Sequence, residues 1–176
     1  MGKITLIFLG GLIGLFSCRQ EGTTGQTSVS ETADTVITFD SLTTFEYVYP
    51  HNTEDLIEDH YILLRSRGDS TIGLYYGTSD EFDQGREGYL PGFFVADMQD
   101  IRIDDDSIHF IVRATDDDMF TRAVDLNIET TDKARVLGYE KWDIGLRTNE
   151  KMYHGAFLGD TILIKDGIDD RFYVRR

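Results

Sequence analysis

One cysteine in 176 residues, Cys18, leaves the chain without an internal disulfide and without a multi-cysteine zinc site. Basic residues are scarce: 17 Lys and Arg stand against 32 Asp and Glu, a formal net charge of −15 at pH 7. A phosphate backbone needs a basic footprint, so this balance argues against nucleic-acid binding. No apolar run approaches the roughly twenty residues that a membrane-spanning helix requires. No long apolar stripe of helical period is present either, which argues against a helical bundle. G-x-S-x-G, P-loop, G-x-G-x-x-G and EF-hand spacings are all missing, and no cofactor is expected. The remaining composition, 40% hydrophobic and 12% aromatic, is that of a globular domain and not of a disordered chain. The length allows one domain and a tail.

The most readable segment comes first. Lys3 supplies a small positive n-region, Ile4 to Phe16 is apolar apart from Thr5 and glycines, and Ser17-Cys18 closes the run. That pattern fits a secretory signal better than an anchor helix. Leu15-Phe16-Ser17-Cys18 resembles the lipobox of bacterial lipoproteins, including those of Bacteroidota. The resemblance implies that Cys18 carries diacylglycerol and that cleavage removes residues 1–17, so the only thiol becomes a thioether. It also implies a lipid-anchored cell-envelope protein. Arg19 stands where an Asp resembles an inner-membrane retention signal, so the outer membrane is the expected location. Only Glu21 follows as an acid, and the choice between periplasmic and surface side stays open.

Residues 18–33 are then expected to form a tether. Arg19 to Ala33 is rich in Thr, Ser, Gly and Gln, with Val29 and Ala33 as its apolar residues. Such a segment buries too little area to offset its ordering entropy. A flexible chain of this length reaches roughly 20–25 Å.

From about Asp34 to Arg176 a single domain is expected, mainly antiparallel β. Strands are predicted at Val36–Phe39 and Phe45–Tyr49, the second ended by Pro50, with one helical turn possible over Thr53–Asp59. Three hairpins follow: Tyr61–Arg67 with Thr71–Gly77, Ile101–Asp104 with Ser107–Arg113, and Met152–Leu158 with Thr161–Lys165. Further strands are predicted at Gly92–Met98, Phe120–Ile128, Ala134–Glu140 and Phe172–Val174. A meander of about eight to ten strands removes its edges by closing, so an up-and-down β-barrel is the expected fold, with a β-sandwich as the alternative. Leu56-Ile57-Glu58-Asp59-His60-Tyr61, opening the first long strand, resembles the start of lipocalin-like lipoprotein domains and implies the same barrel.

Candidate chemistry is sparse. Asp104-Asp105-Asp106 and Asp116-Asp117-Asp118 fall between strands, where Asp favours turns by bonding nearby backbone; a bound cation is the alternative. Asp166-Gly167-Ile168-Asp169-Asp170 holds calcium-loop residues in the wrong order. The long loop Asp80–Gly92 reads as a chain segment pinned by Phe82 and Tyr89, or else as a contact lid. Strand alternation over Phe120–Ile128 puts Arg122 on an apolar face, where it needs an anionic partner, either a protein acid or a ligand carboxylate. His51, His60, His109 and His154 lack the spacing of a helical zinc site, and no metal ligands are assigned.

Three function classes follow. The first is a non-enzymatic, monomeric binding module holding a small amphipathic ligand, with Arg122, Tyr76 and Tyr153 as contacts. The second is an acidic interaction protein, an envelope assembly factor or an immunity protein facing a basic partner. A carboxylate-based hydrolase is the third, because its carboxyl pair has no sequence spacing to read.

Overall fold

The computed structural model of the chain describes residues 37–39, 41–54, 59–82, 92–143, 149–165 and 170–176. Cys18 and the tether lie outside them. Residues 34–176 group as one compact unit. Its strands are β1 (Thr43–Val48), β2 (Asp59–Arg67), β3 (Ser70–Thr78), β4 (Phe93–Asp104), β5 (Ser107–Ala114), the two-residue β6 (Met119–Phe120), β7 (Asn149–Leu158), β8 (Thr161–Lys165) and β9 (Asp170–Arg175). A short helix, α1, spans Thr131–Val136.

Every pairing is antiparallel, and β3–β4 and β1–β9 join the meander into a ring. Its order is β1-β2-β3-β4-β5-β7-β8-β9, an eight-stranded up-and-down barrel with β6 added beside β4. The chain therefore has the expected barrel and not a sandwich. Two-residue loops close the three expected hairpins. Each begins with a left-handed residue, Gly68, Asp105 or Gly159, as mirror-image hairpin turns require.

An eight-stranded barrel is just wide enough for side chains to fill. Phe45, Ile62, Leu64, Tyr75, Phe94, Phe110, Val112, Tyr153, Ile162 and Tyr173 pack there, all buried. Phe110 and Tyr153 stack at 4.9 Å, and Tyr75 meets Phe94 and Tyr153 edge-on at 5.2 and 5.3 Å.

A second layer covers part of the outer wall. Phe120, Val124, Ile128, Ala134 and Tyr139 pack against Leu63, Leu74, Tyr76 and Val95. Strands β2, β3 and β4 are thus apolar on both faces here, which explains the unbroken runs Ile62-Leu63-Leu64, Leu74-Tyr75-Tyr76 and Phe94-Val95-Ala96.

Four local expectations are corrected. The strand predicted at 120–128 ends at Phe120, because the following residues lie over the barrel wall and contribute no ladder. The strand predicted at 134–140 is replaced by α1. Thr130 caps it, its hydroxyl accepting from the Lys133 N–H at 3.1 Å, with Asp132 in the first turn and Arg135 in the last. Residues 37–39 carry no strand; the Phe39 ring packs on Phe45 and Phe157 while its N–H donates to Ser66 Oγ at 2.8 Å. The two strands expected at 92–98 and 101–104 are one, β4, interrupted by a register shift between Gln99 and Arg102 around the left-handed Asp100. The helical turn expected near Thr53 falls mostly on residues 55–58, outside the described ones.

Candidate functional site

β3 ends at Thr78 and is followed by a 3-10 turn, Ser79–Glu81, held by the Ser79 N–H donating to the Gly92 carbonyl at 2.7 Å. This turn sends the Glu81 side chain inside, where it has 0% exposure. A buried carboxylate needs both opposite charge and hydrogen-bond donors. Glu81 has them: Oε1 accepts from Tyr153 Oη at 2.6 Å and Lys151 Nζ at 3.0 Å, and Oε2 accepts from Arg171 at 2.5 Å. Lys151 and Tyr153 alternate on β7, as Arg171 and Tyr173 do on β9, so each strand points a cation and a phenol inward together.

His60 lies 3.9 Å from the same carboxylate, with Tyr75 Oη 3.2 Å from its Nδ1 and Thr78 Oγ1 3.5 Å from its Nε2. Its ring occupies the space beside Gly77, where any Cβ would stand 2.6 Å from Nδ1. Tyr75 in turn shares a 2.8 Å hydrogen bond with Tyr173.

The protonation states follow from these neighbours. Burial alone would raise Glu81, but His60, Arg171, Lys151 and the Tyr153 hydroxyl outweigh it and hold the carboxyl at about 2. Burial lowers His60 to about 4, with Arg171 and Lys151 adding to it against the pull of Glu81. Burial also pushes Tyr75, Tyr153 and Tyr173 up. At neutral pH Glu81 is ionised while His60 and the phenols are uncharged. General acid–base work is best served by a group titrating near neutrality, and neither Glu81 nor His60 does so. The cluster is built to hold charge in place.

A separate cleft of about 170 Å³ opens between the outer segment and β2, β3 and β4. Tyr61, Tyr76, Phe93, Phe94, Val124 and Leu126 form its apolar walls, with Asp59, Gly77 and Ala123 completing the lining. The Tyr76 hydroxyl donates to the Ile128 carbonyl, tying segment to barrel. Asp59 accepts from Asn52 Nδ2 at 2.7 Å. Burial, then Asp59 and Glu46, push Tyr61 up to about 12.

The three ligand candidates read from sequence do not converge. Tyr153 lies in the barrel against Glu81, and Tyr76 lies in the cleft wall. Arg122 is exposed, its guanidinium 4.3 Å from the Tyr139 ring centroid; the alternation that pointed it inward does not exist past Phe120. Its neighbours Ala123 and Val124, not Arg122 itself, line the cleft. Phe82 is buried, while Tyr89 and the rest of the loop through residue 91 lie outside the described residues.

Two acidic runs sit in turns, while residues 166–169 of the third lie outside the described residues. Asp105-Asp106 forms the β4–β5 loop. Asp118 accepts from the Thr115 N–H and hydroxyl, both at 2.9 Å, closing a capping box. Asp117 meets Lys141 at 3.2 Å and Arg135 at 3.4 Å. Among the described residues no three His, Cys, Asp or Glu converge as metal donors.

Glu81 itself was missed from sequence, although a signal existed. Two strands each pair an inward cation with an inward tyrosine, which demands an anion between them. Comparison of the chain with family models, with curated proteins and with solved structures finds no match.

Proposed function

We propose that this is a lipid-anchored, non-enzymatic binding protein of the cell envelope that holds the apolar end of a small amphipathic ligand in the outer cleft. The observation that carries the reading is the cleft's build: aromatic and aliphatic walls around about 170 Å³, with the Asp59 carboxylate in the lining. Complete ligand sites usually exceed about 300 Å³, so this one suits a chain end or single ring while the polar head stays in water. An acidic residue in the lining favours a hydroxyl or amine head over a carboxylate, so the expected head chemistry passes from Arg122 to Asp59. The barrel interior, packed with aromatic rings and cross-linked at its rim by Glu81, acts as the rigid frame for that wall.

Fluorescence enhancement of N-phenyl-1-naphthylamine tests the cleft. The unmodified protein should bind the probe, and Ala123→Trp, at an exposed position in the lining, should abolish the enhancement. Leu163→Trp on the remote wall should leave it intact. Equal enhancement in all three proteins would refute the cleft as the site.

The anchor rests on the lipobox resemblance at Cys18. Cys18→Ala should leave an uncleaved or soluble precursor without radiolabelled palmitate, and label retained by that variant would refute the assignment.

A second reading, an envelope interaction protein, is favoured by Met152, Leu158, Phe172 and Val174, each at least half exposed on β7 and β9. Purification from native envelopes separates the two, since this reading expects a co-purifying protein in place of a small molecule.

A further inference from the structure

Strands β5 and β7 place His109 directly opposite His154 on the outer wall, and their Nδ1 atoms stand 2.8 Å apart. The ring centroids are 4.3 Å apart, with an interplanar angle of 47°. Two uncharged imidazoles approach that closely only when one Nδ1 carries a proton and the other presents its lone pair. Moving that proton to the far ring nitrogen frees the lone pairs of both Nδ1 atoms for a shared ion. We propose that this pair is a bidentate site for a divalent late transition metal, with Cu(II) the preferred ion.

The separation selects the geometry. Two nitrogens in cis positions at 90°, each roughly 2.0 Å from the metal, lie about 2.8 Å apart, whereas a tetrahedral angle sets them about 3.3 Å apart. The resting pair matches the first, a tetragonal arrangement that suits Cu(II) and Ni(II), and the Irving–Williams order places Cu(II) above both Ni(II) and Zn(II). No third protein donor joins them among the described residues, so water completes the coordination.

The pair's charged neighbours nearly balance. Arg102 on β4 faces His109 and Lys165 on β8 faces His154, while Lys165 pairs in register with Asp170 and Asp100 draws on His109. The net charge of −15 favours the approach of any cation. His154 is exposed and His109 half-buried, so the ion can reach both from solvent.

Titration of the purified full-length chain with Cu(II), followed by electron paramagnetic resonance, tests the site. A tetragonal centre coupled to two imidazole nitrogens is expected. His109→Ala and His154→Ala should each weaken Cu(II) binding by more than about tenfold, the lower end for losing even a supporting group at a metal centre. Each variant should also lose one nitrogen coupling, whereas His51→Ala should retain both. Both positions lie on the outer wall, and far-ultraviolet circular dichroism checks that the barrel persists. An unchanged signal in either variant, or absence of bound Cu(II) in the unmodified chain at equimolar metal, would overturn the proposal.

Discussion

Replacing Glu81 with Gln should lower the unfolding free energy by about 3–5 kcal/mol at pH 7, the cost of leaving a buried cation without its counter-charge. The amide keeps one acceptor oxygen but turns an NH₂ group toward donors. Lys151 and Arg171, with side chains 23% and 16% exposed, then face no carboxylate at Glu81's position. Tyr153 loses a 2.6 Å charge-assisted bond inside the barrel. Urea unfolding read by far-ultraviolet circular dichroism measures the loss as a shift in midpoint. Because the single variant can fall below the folding threshold, Glu81→Leu combined with Arg171→Met provides the control. Removing both charges should recover more than half of the loss, since breaking a buried pair costs more than replacing it by apolar groups. A single-variant loss below about 1 kcal/mol, the size typical of an exposed pair, would show that the carboxylate is solvated and not structural.

That cluster marks the limit of what residue patterns reveal in this chain. The hairpins were legible because each joins β-branched and aromatic runs through a short loop with a Gly or Asp able to turn left-handed, as at Gly68-Asp69 and Gly159-Asp160. Closure was legible too, since a long meander with open edges is unfavourable. The outer layer was not. Val124, Ile128, Ala134 and Tyr139 carry the apolar content of strands but bury it against the barrel's outside, where no ladder exists to impose a period of two. Composition therefore suggested strands where packing chose an irregular segment and a capped helix. An inward cation does need an anion, but Arg122 is exposed and the rule applies elsewhere in the chain. It holds at Lys151 and Arg171, whose shared partner is one acid among 32 and lies about 70 and 90 residues away. The His109–His154 contact escaped for the same reason: 45 residues separate the pair, and only strand register makes them neighbours.

Acidification should weaken the barrel in a window that His60 sets. Its folded value of about 4 lies below the ordinary 6.5, so between those limits the unfolded chain binds a proton that the folded one refuses. Stability therefore rises with pH across the window: His60's contribution is fully present above 6.5 and is lost as pH falls toward 4. The shift corresponds to about 3 kcal/mol at roughly 1.4 kcal/mol per pH unit. Glu81 acts in the same direction but lower, its contribution disappearing only as pH drops from 4.5 toward about 2. Urea midpoints at pH 7.5, 6, 5 and 4 resolve the His60 part. His60→Phe, which keeps an aromatic ring against Tyr47, Tyr75 and Phe94, has no proton to bind and should flatten the profile between pH 6.5 and 4. His109, also lowered, remains in both proteins and cancels from the difference. Parallel profiles for the two proteins would mean that His60 keeps its ordinary value inside the folded barrel and gains its proton there as readily as in the unfolded chain.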